Sequence, residues 1–350
     1  MNAPIVSVCM ATYNHAPFIR TAVESVLRQS FTDWELVITD DGSSDGTLAA
    51  IDGINDDRLH IEAFPENRSA CVALNHCIRR ARGRFIAVLN SDDAWAPEKL
   101  ARQLAVMHEQ PQTAAVFTLA AMIDERGQPL PADHPGQQTF HQPNRDRREW
   151  LRRLIFNGNC LCHPSVLVRA DVYREVGLYD ECMAQLPDLD MWIRICLRHD
   201  IHVLQERLTF FRLLDRERNA SGNRPEVRVR CTTENMLITL KSLRDRPDEM
   251  AAVLRSASPQ SARTAVGSSL GPLDALLTDF DMATLPFGMG AGLIIWMHEQ
   301  LAGSGGWQAY KQFIAKTGTC DVFGVLRHEQ LEAQFGPKPS WWKRLIRGKR

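Results

Sequence analysis

The sequence has no stretch long and apolar enough to read as a membrane-spanning helix. The most apolar late segment, Leu285–Met297, is broken by Pro286, Gly288, Gly290 and Gly292 and reads as a turn followed by a buried segment. It also lacks the parts of a secretory leader. Met1-Asn2-Ala3-Pro4 carries no basic residue, and the apolar run Ile5–Met10 is too short for a leader core. A cytoplasmic protein is expected. An excess of charge of one sign is missing too. Lys and Arg number 41 against 42 Asp and Glu, a net charge of -1, so no global field attracts nucleic acid and no such partner is expected. Cysteine pairing is absent: the 9 Cys are odd in number and none forms a CxxC pair. Cys160 and Cys162, with His163 beside them, lack the second ligand pair that a zinc site needs. Runs such as Ile195-Cys196-Leu197 point to buried, reduced thiols. Finally, Thr12–Ala16 is not the glycine-rich basic loop that a nucleotidyltransferase would carry after its first strand.

What is present begins with an alternation of strand and helix signals. Ile5–Met10, Trp34–Thr39, Leu59–Phe64, Arg84–Leu89 and Ala114–Thr118 read as strands. Between them, Ala16–Gln29, Thr47–Ile51, Ser69–Arg82 and Pro97–Glu109 read as helices, the last with proline in its first turn. Such alternation implies βαβ units and a doubly wound sheet, in which ligands bind beyond the carboxyl ends of the strands. Those ends carry Thr12-Tyr13-Asn14, Asp40-Asp41 and Asn90-Ser91-Asp92-Asp93, three polar clusters on one edge. Farther on, the Pro-, Gln- and Asp-rich residues 124–148 read as a mobile loop. Helices are expected at Glu149–Phe156, Asp171–Val176 and Leu189–Leu197, with strands at Val166–Val168, Ile201–Leu204 and Thr209–Leu213. The character changes near residues 215–225, where a domain boundary is expected, and Glu226–Leu243 is one long helical pattern.

Closely spaced carboxylates after a strand suit a hard divalent cation, Mg²⁺ or Mn²⁺, which prefers oxygen ligands and binds substrate phosphates as well. The same residues also suit an acidic turn, with Asp93 able to cap the helix that follows. Asp40 and Asp41 admit the same pair of readings. As ligand residues they would accept hydrogen bonds from a ring N–H or a ribose hydroxyl, and Gly42 would permit close approach or a positive φ.

Three segments, Val6–Asn14, Asp40–Thr47 and Leu89–Asp93, occur in the order and at the spacing that resemble family 2 glycosyltransferases, over roughly residues 5–215. The resemblance implies a GT-A fold, an α/β doubly wound mixed sheet with a Rossmann-like nucleotide-binding half and an acceptor half, here followed by a mainly helical extension. It implies a nucleotide-diphosphate sugar donor, with UDP the favoured nucleotide, and a Mn²⁺ or Mg²⁺ cofactor. By position, Thr12, Tyr13, Asn14 and Asp41 would meet base and ribose with Asp40 nearby, and Arg68 in Glu66–Ser69 would reach the nucleotide. Asn90, Ser91 and Asp92 fall on the DxD motif, with Asn in place of its first Asp. Asp92 is the first choice as metal ligand and Asp93 the alternative. Pro187-Asp188-Leu189-Asp190-Met191-Trp192 resembles the Glu-Asp-x-Asp-x-Trp motif, with Pro in place of Glu, and it makes Asp188 the general base of an inverting transfer. The alternative for Asp188 is a helix N-cap. Asp190, Trp192, His163 and Arg212 are implied as acceptor- or diphosphate-side residues, with a structural alternative for Asp190, His163 and Arg212.

The resemblance places the catalytic domain at residues 1–218, followed by a helical region at 219–336 and a basic aromatic tail at 337–350. That tail sets Trp341, Trp342, Leu345 and Ile346 among Lys and Arg, a composition able to rest on an anionic membrane surface. The implied acceptor is a glycan, a lipid-linked sugar or a protein in envelope polysaccharide synthesis. The competing reading is a GT-A domain without activity, used as a binding module.

Overall fold

The computed structural model describes residues 3–214 and 225–255, together with Gly292, Leu293, Ile295, Trp296 and Glu299. The chain divides into two compact units, residues 1–219 and 220–350.

The first unit is built on one eight-stranded sheet. Its strands are β1 (Val6–Thr12), β2 (Trp34–Asp40), β3 (Leu59–Ala63), β4 (Phe85–Val88), β5 (Ala94–Trp95), β6 (Thr113–Ile123), β7 (Leu167–Arg169) and β8 (Asp200–Arg212), in the spatial order β3-β2-β1-β4-β7-β6-β8-β5. The half β3-β2-β1-β4 is parallel throughout. β7 then runs antiparallel to both β4 and β6, β6 and β8 pair in parallel, and β5 closes the edge antiparallel to β8. The fold is therefore a mixed doubly wound sheet.

The helices are α1 (Ile19–Leu27), α2 (Ala70–Arg80), α3 (Lys99–Glu109), α4 (Arg147–Asn157), α5 (Ala170–Val176) and α6 (Pro187–Cys196). Every residue of β2 is buried, in keeping with its apolar centre Leu36-Val37-Ile38. On α1 the stripe Ile19, Ala22, Val23 and Val26 is buried at helical spacing and packs with Val8, Met10, Leu36 and Ile38 in the main core. Burial of each such side chain contributes roughly 1.5–3 kcal/mol. The start of α4 is fixed by a capping box between Asp146 and Glu149.

At the amino ends of the strands, Glu35 is buried and accepts hydrogen bonds from Ser7 Oγ (2.6 Å), Arg82 N (2.8 Å) and Arg82 Nη2 (2.6 Å). Burial on its own would raise this carboxyl. The Ser7 and Arg82 bonds outweigh it and hold the group below its usual value of 4.5.

Three expectations need revising, and one strand went unread. Thr47–Ile51 is only a 3-10 turn at Ala49–Ile51, because the Asp45 carboxylate takes the N–H of Thr47 and fixes a turn in its place. The two strands expected at Ile201–Leu204 and Thr209–Leu213 are one, β8. Its register against β6 shifts near Thr118–Ala120, opposite the polar Gln205–Arg207 that made it read as two. The two-residue β5 gave no periodic signal. Residues 124–148 contain fixed turns: Asp124 accepts from the N–H groups of Arg126 and Gln128, and Pro135–Gln138 forms a 3-10 turn.

In the second unit, α7 (Pro225–Asp245) and α8 (Pro247–Arg255) are helical, with Leu243, Met250, Leu254 and Leu293 buried and Arg244 paired to Glu299. No helix among the described residues is long and apolar enough to cross a membrane. The tail at 337–350, with His298, His328 and Cys320, lies outside the described residues.

Candidate active site

The parallel half brings its carboxyl ends to one edge, and register fixes how they meet. Thr12 stands opposite Asp40, and Asp40 opposite Ala63. The first two loops are laced together there. Asn14 N donates to Ser43 Oγ (2.8 Å), His15 N to Thr47 Oγ1 (2.9 Å) and Ala16 N to Asp45 Oδ2 (3.0 Å). Asn14 adopts φ 52°, a conformation Asn tolerates, and its Oδ1 accepts from Ser44 N (2.9 Å).

Asp40 and Asp41 are both buried, and their carboxylates face the protein's own donors. Asp40 accepts from Ser43 N (2.9 Å) and Ser43 Oγ (2.5 Å), which makes it the organiser of its turn. Asp41 reaches the next loop, accepting from Arg68 N at 2.7 Å and Ser69 N at 3.0 Å. Gly42 makes that approach possible. It sits at φ +74°, and a Cβ there would lie 2.6 Å from the carbonyl carbon of Glu66. Around this scaffold Tyr13 and Arg68 are exposed, with the Arg68 guanidinium 5.0 Å from the Phe64 ring centroid. The Thr12 hydroxyl is buried without a hydrogen-bond partner.

The Asn90–Asp93 turn follows β4. Ser91 is buried, its Oγ 2.7 Å from His15 Nδ1. Asp93, 1% exposed, accepts from Asn90 Nδ2 (3.0 Å) and from the backbone N of Arg212 (2.7 Å). It does not cap α3, whose N-cap is Glu98. Burial, and then the charge of Asp92, push the Asp93 carboxyl up. Asp92 remains partly exposed; burial raises its carboxyl, opposed by His15 and Arg212. Arg212 is buried and donates through Nε to the Asp92 carbonyl (2.6 Å) and through Nη1 to the carbonyls of Asp124 (2.8 Å) and Glu125 (3.0 Å). In this structure it is a latch on backbone oxygens.

The other half supplies the second cluster. Asp188 is half-buried in the first turn of α6. The N-cap is Leu186, with no side-chain cap, so Asp188 does not act as one; Pro187 occupies the first turn, where its fixed φ favours a helix start. Asp188 Oδ2 accepts from Asn159 Nδ2 at 2.5 Å and Oδ1 from Leu189 N at 2.8 Å. Asp190 is buried and ion-paired with Arg194 at 2.8 Å. Trp192, 1% exposed, packs edge-on against Phe117 at 4.7 Å, so as a core residue it is out of an acceptor's reach. His163 Nε2 lies 3.0 Å from the Tyr179 hydroxyl, and burial lowers its pKa to about 4, so it is neutral near pH 7.

The two clusters meet around Cys162. Burial first, then the charges of Asp93 and, more weakly, Asp188, push this thiol up, against the opposing effect of Lys99. Segments 95 residues apart in sequence thus lie within electrostatic reach of one side chain. Cys160 and Cys162 are free and buried. No group of three or more His, Cys, Asp or Glu among the described residues is arranged to hold a metal ion.

A family model described as Glycosyl transferase family 2 matches residues 7–177. EpsE, named as a glycosyltransferase of Bacillus subtilis (strain 168), is 30% identical over 203 residues, 55% of this chain and 67% of EpsE. The chain belongs to the family 2 glycosyltransferases. TuaG of the same organism, named for teichuronic acid biosynthesis, is 41% identical over 129 residues, 36% of this chain and 51% of TuaG. The chain thus spans about half of TuaG. In fold, this glycosyltransferase is similar to the crystal structure of S. aureus TarS 1-349 in complex with UDP-GlcNAc, with TM-score 0.59 at 17% identity, covering 95% of this chain and 92% of that one.

Asn90 and Pro187, which the sequence resemblance marks as departures from family motifs, each have a defined local setting. Asn90 donates to the buried Asp93, a bond that an ionised Asp at position 90 could not make. Pro187 keeps the start of α6 fixed where Glu is missing. Sequence reasoning missed two residues, His15 and Asn159. Their partners are 76 and 29 positions away, so no local pattern marks them.

Proposed function

We propose that this glycosyltransferase moves a sugar from a UDP-sugar to an acceptor hydroxyl by a single in-line displacement that inverts the anomeric carbon. The observation that carries the reading is that Asp93, the buried neighbour of the partly exposed Asp92, and the partly exposed Asp188 both lie within electrostatic reach of Cys162. Asp188 takes the acceptor's proton as the acceptor oxygen attacks. The new C–O bond forms as the bond from the anomeric carbon to the diphosphate breaks, and the nucleoside diphosphate leaves with that electron pair.

Tyr13 and Arg68 border the base and ribose pocket. Asp41 keeps acceptor positions beyond the two used by the Arg68 and Ser69 N–H groups. Asp40 shapes the turn that supports them, with Thr12 and Asn14 in the adjoining loop. Asp92 is the metal ligand of choice, because Asp93 is already engaged by Asn90 and Arg212. One carboxylate fits a hard cation whose other ligands are donor phosphates and water, and such an ion, Mn²⁺ or Mg²⁺, would offset charge developing on the leaving diphosphate. His163, neutral and bonded to Tyr179, and Arg212, a latch under Asp92, serve as supports. UDP as nucleotide is supported by the UDP-GlcNAc complex of TarS. A polysaccharide acceptor is supported by TuaG, named for teichuronic acid biosynthesis; a lipid-linked acceptor and contact of 337–350 with an anionic membrane are part of the same proposal.

The test is thermal stabilisation of the protein by UDP-GlcNAc and UDP-glucose, with Mn²⁺, with Mg²⁺ and with chelator. Ligand at 100 times its Kd stabilises by about 2.7 kcal/mol. A metal-dependent rise in Tm with either donor is expected. No rise with any nucleotide sugar would leave the silent binding module as the better reading.

A further inference from the structure

We propose that Asn159 is a positioning residue for the transfer, its side-chain amide orienting the Asp188 carboxylate and keeping it ionised. This rests on the reading of Asp188 as the base.

Asn159 stands two residues beyond α4. The chain leaves that helix through Gly158, whose N–H bonds the Leu154 carbonyl (3.1 Å) and whose φ of +76° suits glycine. Asn159 is then held at both ends of its amide. Its Oδ1 accepts from Leu161 N at 3.0 Å, and its Nδ2 donates to Asp188 Oδ2 at 2.5 Å. These partners fix which way the amide faces: a backbone N–H only donates and an ionised carboxylate only accepts, so the reverse orientation would oppose like to like at both ends.

Asp188 is consequently gripped from two elements. The exit of α4 holds Oδ2 and the first turn of α6 holds Oδ1, through Leu189 N. Among the described residues these two donors hold the plane of the carboxylate and favour its charged form. A base held in one orientation meets the acceptor hydroxyl in a reactive geometry without a search over rotamers.

Among the described residues, the neighbouring titratable groups leave this effect readable. Cys162 and Tyr179 feel the Asp188 charge, but burial above all pushes both up, so they stay protonated near neutrality. His163, bonded to Tyr179, is neutral above about 4. Asp190 on the same helix is paired with Arg194, and Arg147 of α4 bonds the carbonyls of Cys196 and Leu197 at the far end of α6.

The experiment uses the full chain labelled with ¹³C at aspartate carboxyls, with the Asp188 resonance assigned by its loss in Asp188→Asn. Its titration midpoint is compared in wild type, Asn159→Ala and the isosteric Asn159→Asp, which carries the test if the alanine variant does not fold. In parallel, UDP release from UDP-GlcNAc and UDP-glucose is followed against pH. The midpoint is expected to rise by about one pH unit in Asn159→Ala and further in Asn159→Asp, where two carboxyls face each other. Values of kcat should fall about tenfold or more, with the donor KM within about twofold, and the acidic limb should follow the midpoint. An unmoved midpoint overturns the proposal, including the case in which only Tm falls, since a merely structural asparagine would do that. The titration reads the coupling whether or not either donor is turned over. Wild-type turnover in Asp188→Asn would instead remove the base reading, and Asn159's role in transfer with it, while a shifted midpoint would still stand.

Discussion

Asn90–Asp93 and Asp188–Asp190 each carry two carboxylates, and in each segment one is built into the protein while the other stays partly exposed. In the first, Asp93 is buried under Asn90 and the Arg212 backbone and Asp92 is left at the surface. In the second, Asp190 is buried in an ion pair with Arg194, and Asp188 stands in the first helical turn with Asn159 on one oxygen. The supports differ. The first segment is latched by an arginine that donates to backbone carbonyls, so the latch does not occupy the Asp92 carboxylate proposed to hold the cation. The second is held through the Asp188 carboxylate itself, which suits the proposed base, whose orientation and protonation both matter. Acidic residues at a sheet edge therefore need to be separated by what already satisfies them.

The comparison predicts a graded set of effects. Asp188→Asn should lower turnover by about 10²–10⁴-fold, the span expected for loss of a general base, with donor affinity nearly intact. An unchanged rate of UDP release would break the comparison at its catalytic end. Asp92→Ala should remove the metal-dependent part of donor binding. Equal donor affinity with and without chelator in the wild-type protein would show that this carboxylate holds no cation.

Smaller effects are expected from the buried partners. Asp93→Asn and Asp190→Asn should each destabilise the fold by about 1–3 kcal/mol, since each disturbs a buried donor. Chemical denaturation checks this, and a variant that loses turnover with full stability would mean the division within its segment is misassigned. The smallest effect sits away from the site. Glu35 has a lowered carboxyl value in the folded state, so its contribution is present above the unfolded value of 4.5 and is lost as the pH falls through the folded value. Glu35→Gln should cost about 1–2 kcal/mol at pH 7, less than a fully buried pair because Arg82 is half exposed, and less at a pH below the folded value. An equal cost at both pH values would contradict the ionised network.

Much of the parallel half was legible because the buried strands β1, β2 and β4 read as largely apolar runs, and the polar clusters at 12–14, 40–41 and 90–93 interrupt those runs abruptly. Gly42 also carried its meaning locally, and both of its expected properties, positive φ and close approach, are present. The second half was harder to read. β8 looked like two strands because Gln205–Arg207 lie at a shift in register, and β5 has two residues, too few for any period. Within the site, residue type did not distinguish Asp92 from Asp93. What separates them is the backbone N–H of Arg212, 119 positions away, a contact that only the fold creates. Asn159 went unread for the same reason, since its partner is presented by a different helix.

The most direct test of the account compares UDP-GlcNAc binding and UDP release in wild type, Asp92→Ala and Asp188→Asn, by calorimetry with and without Mn²⁺. The account predicts two separable defects: Asp92→Ala loses Mn²⁺-dependent binding, whereas Asp188→Asn binds donor as wild type does and fails to release UDP. Loss of the same property in both variants would contradict the division between a donor-side and an acceptor-side carboxylate.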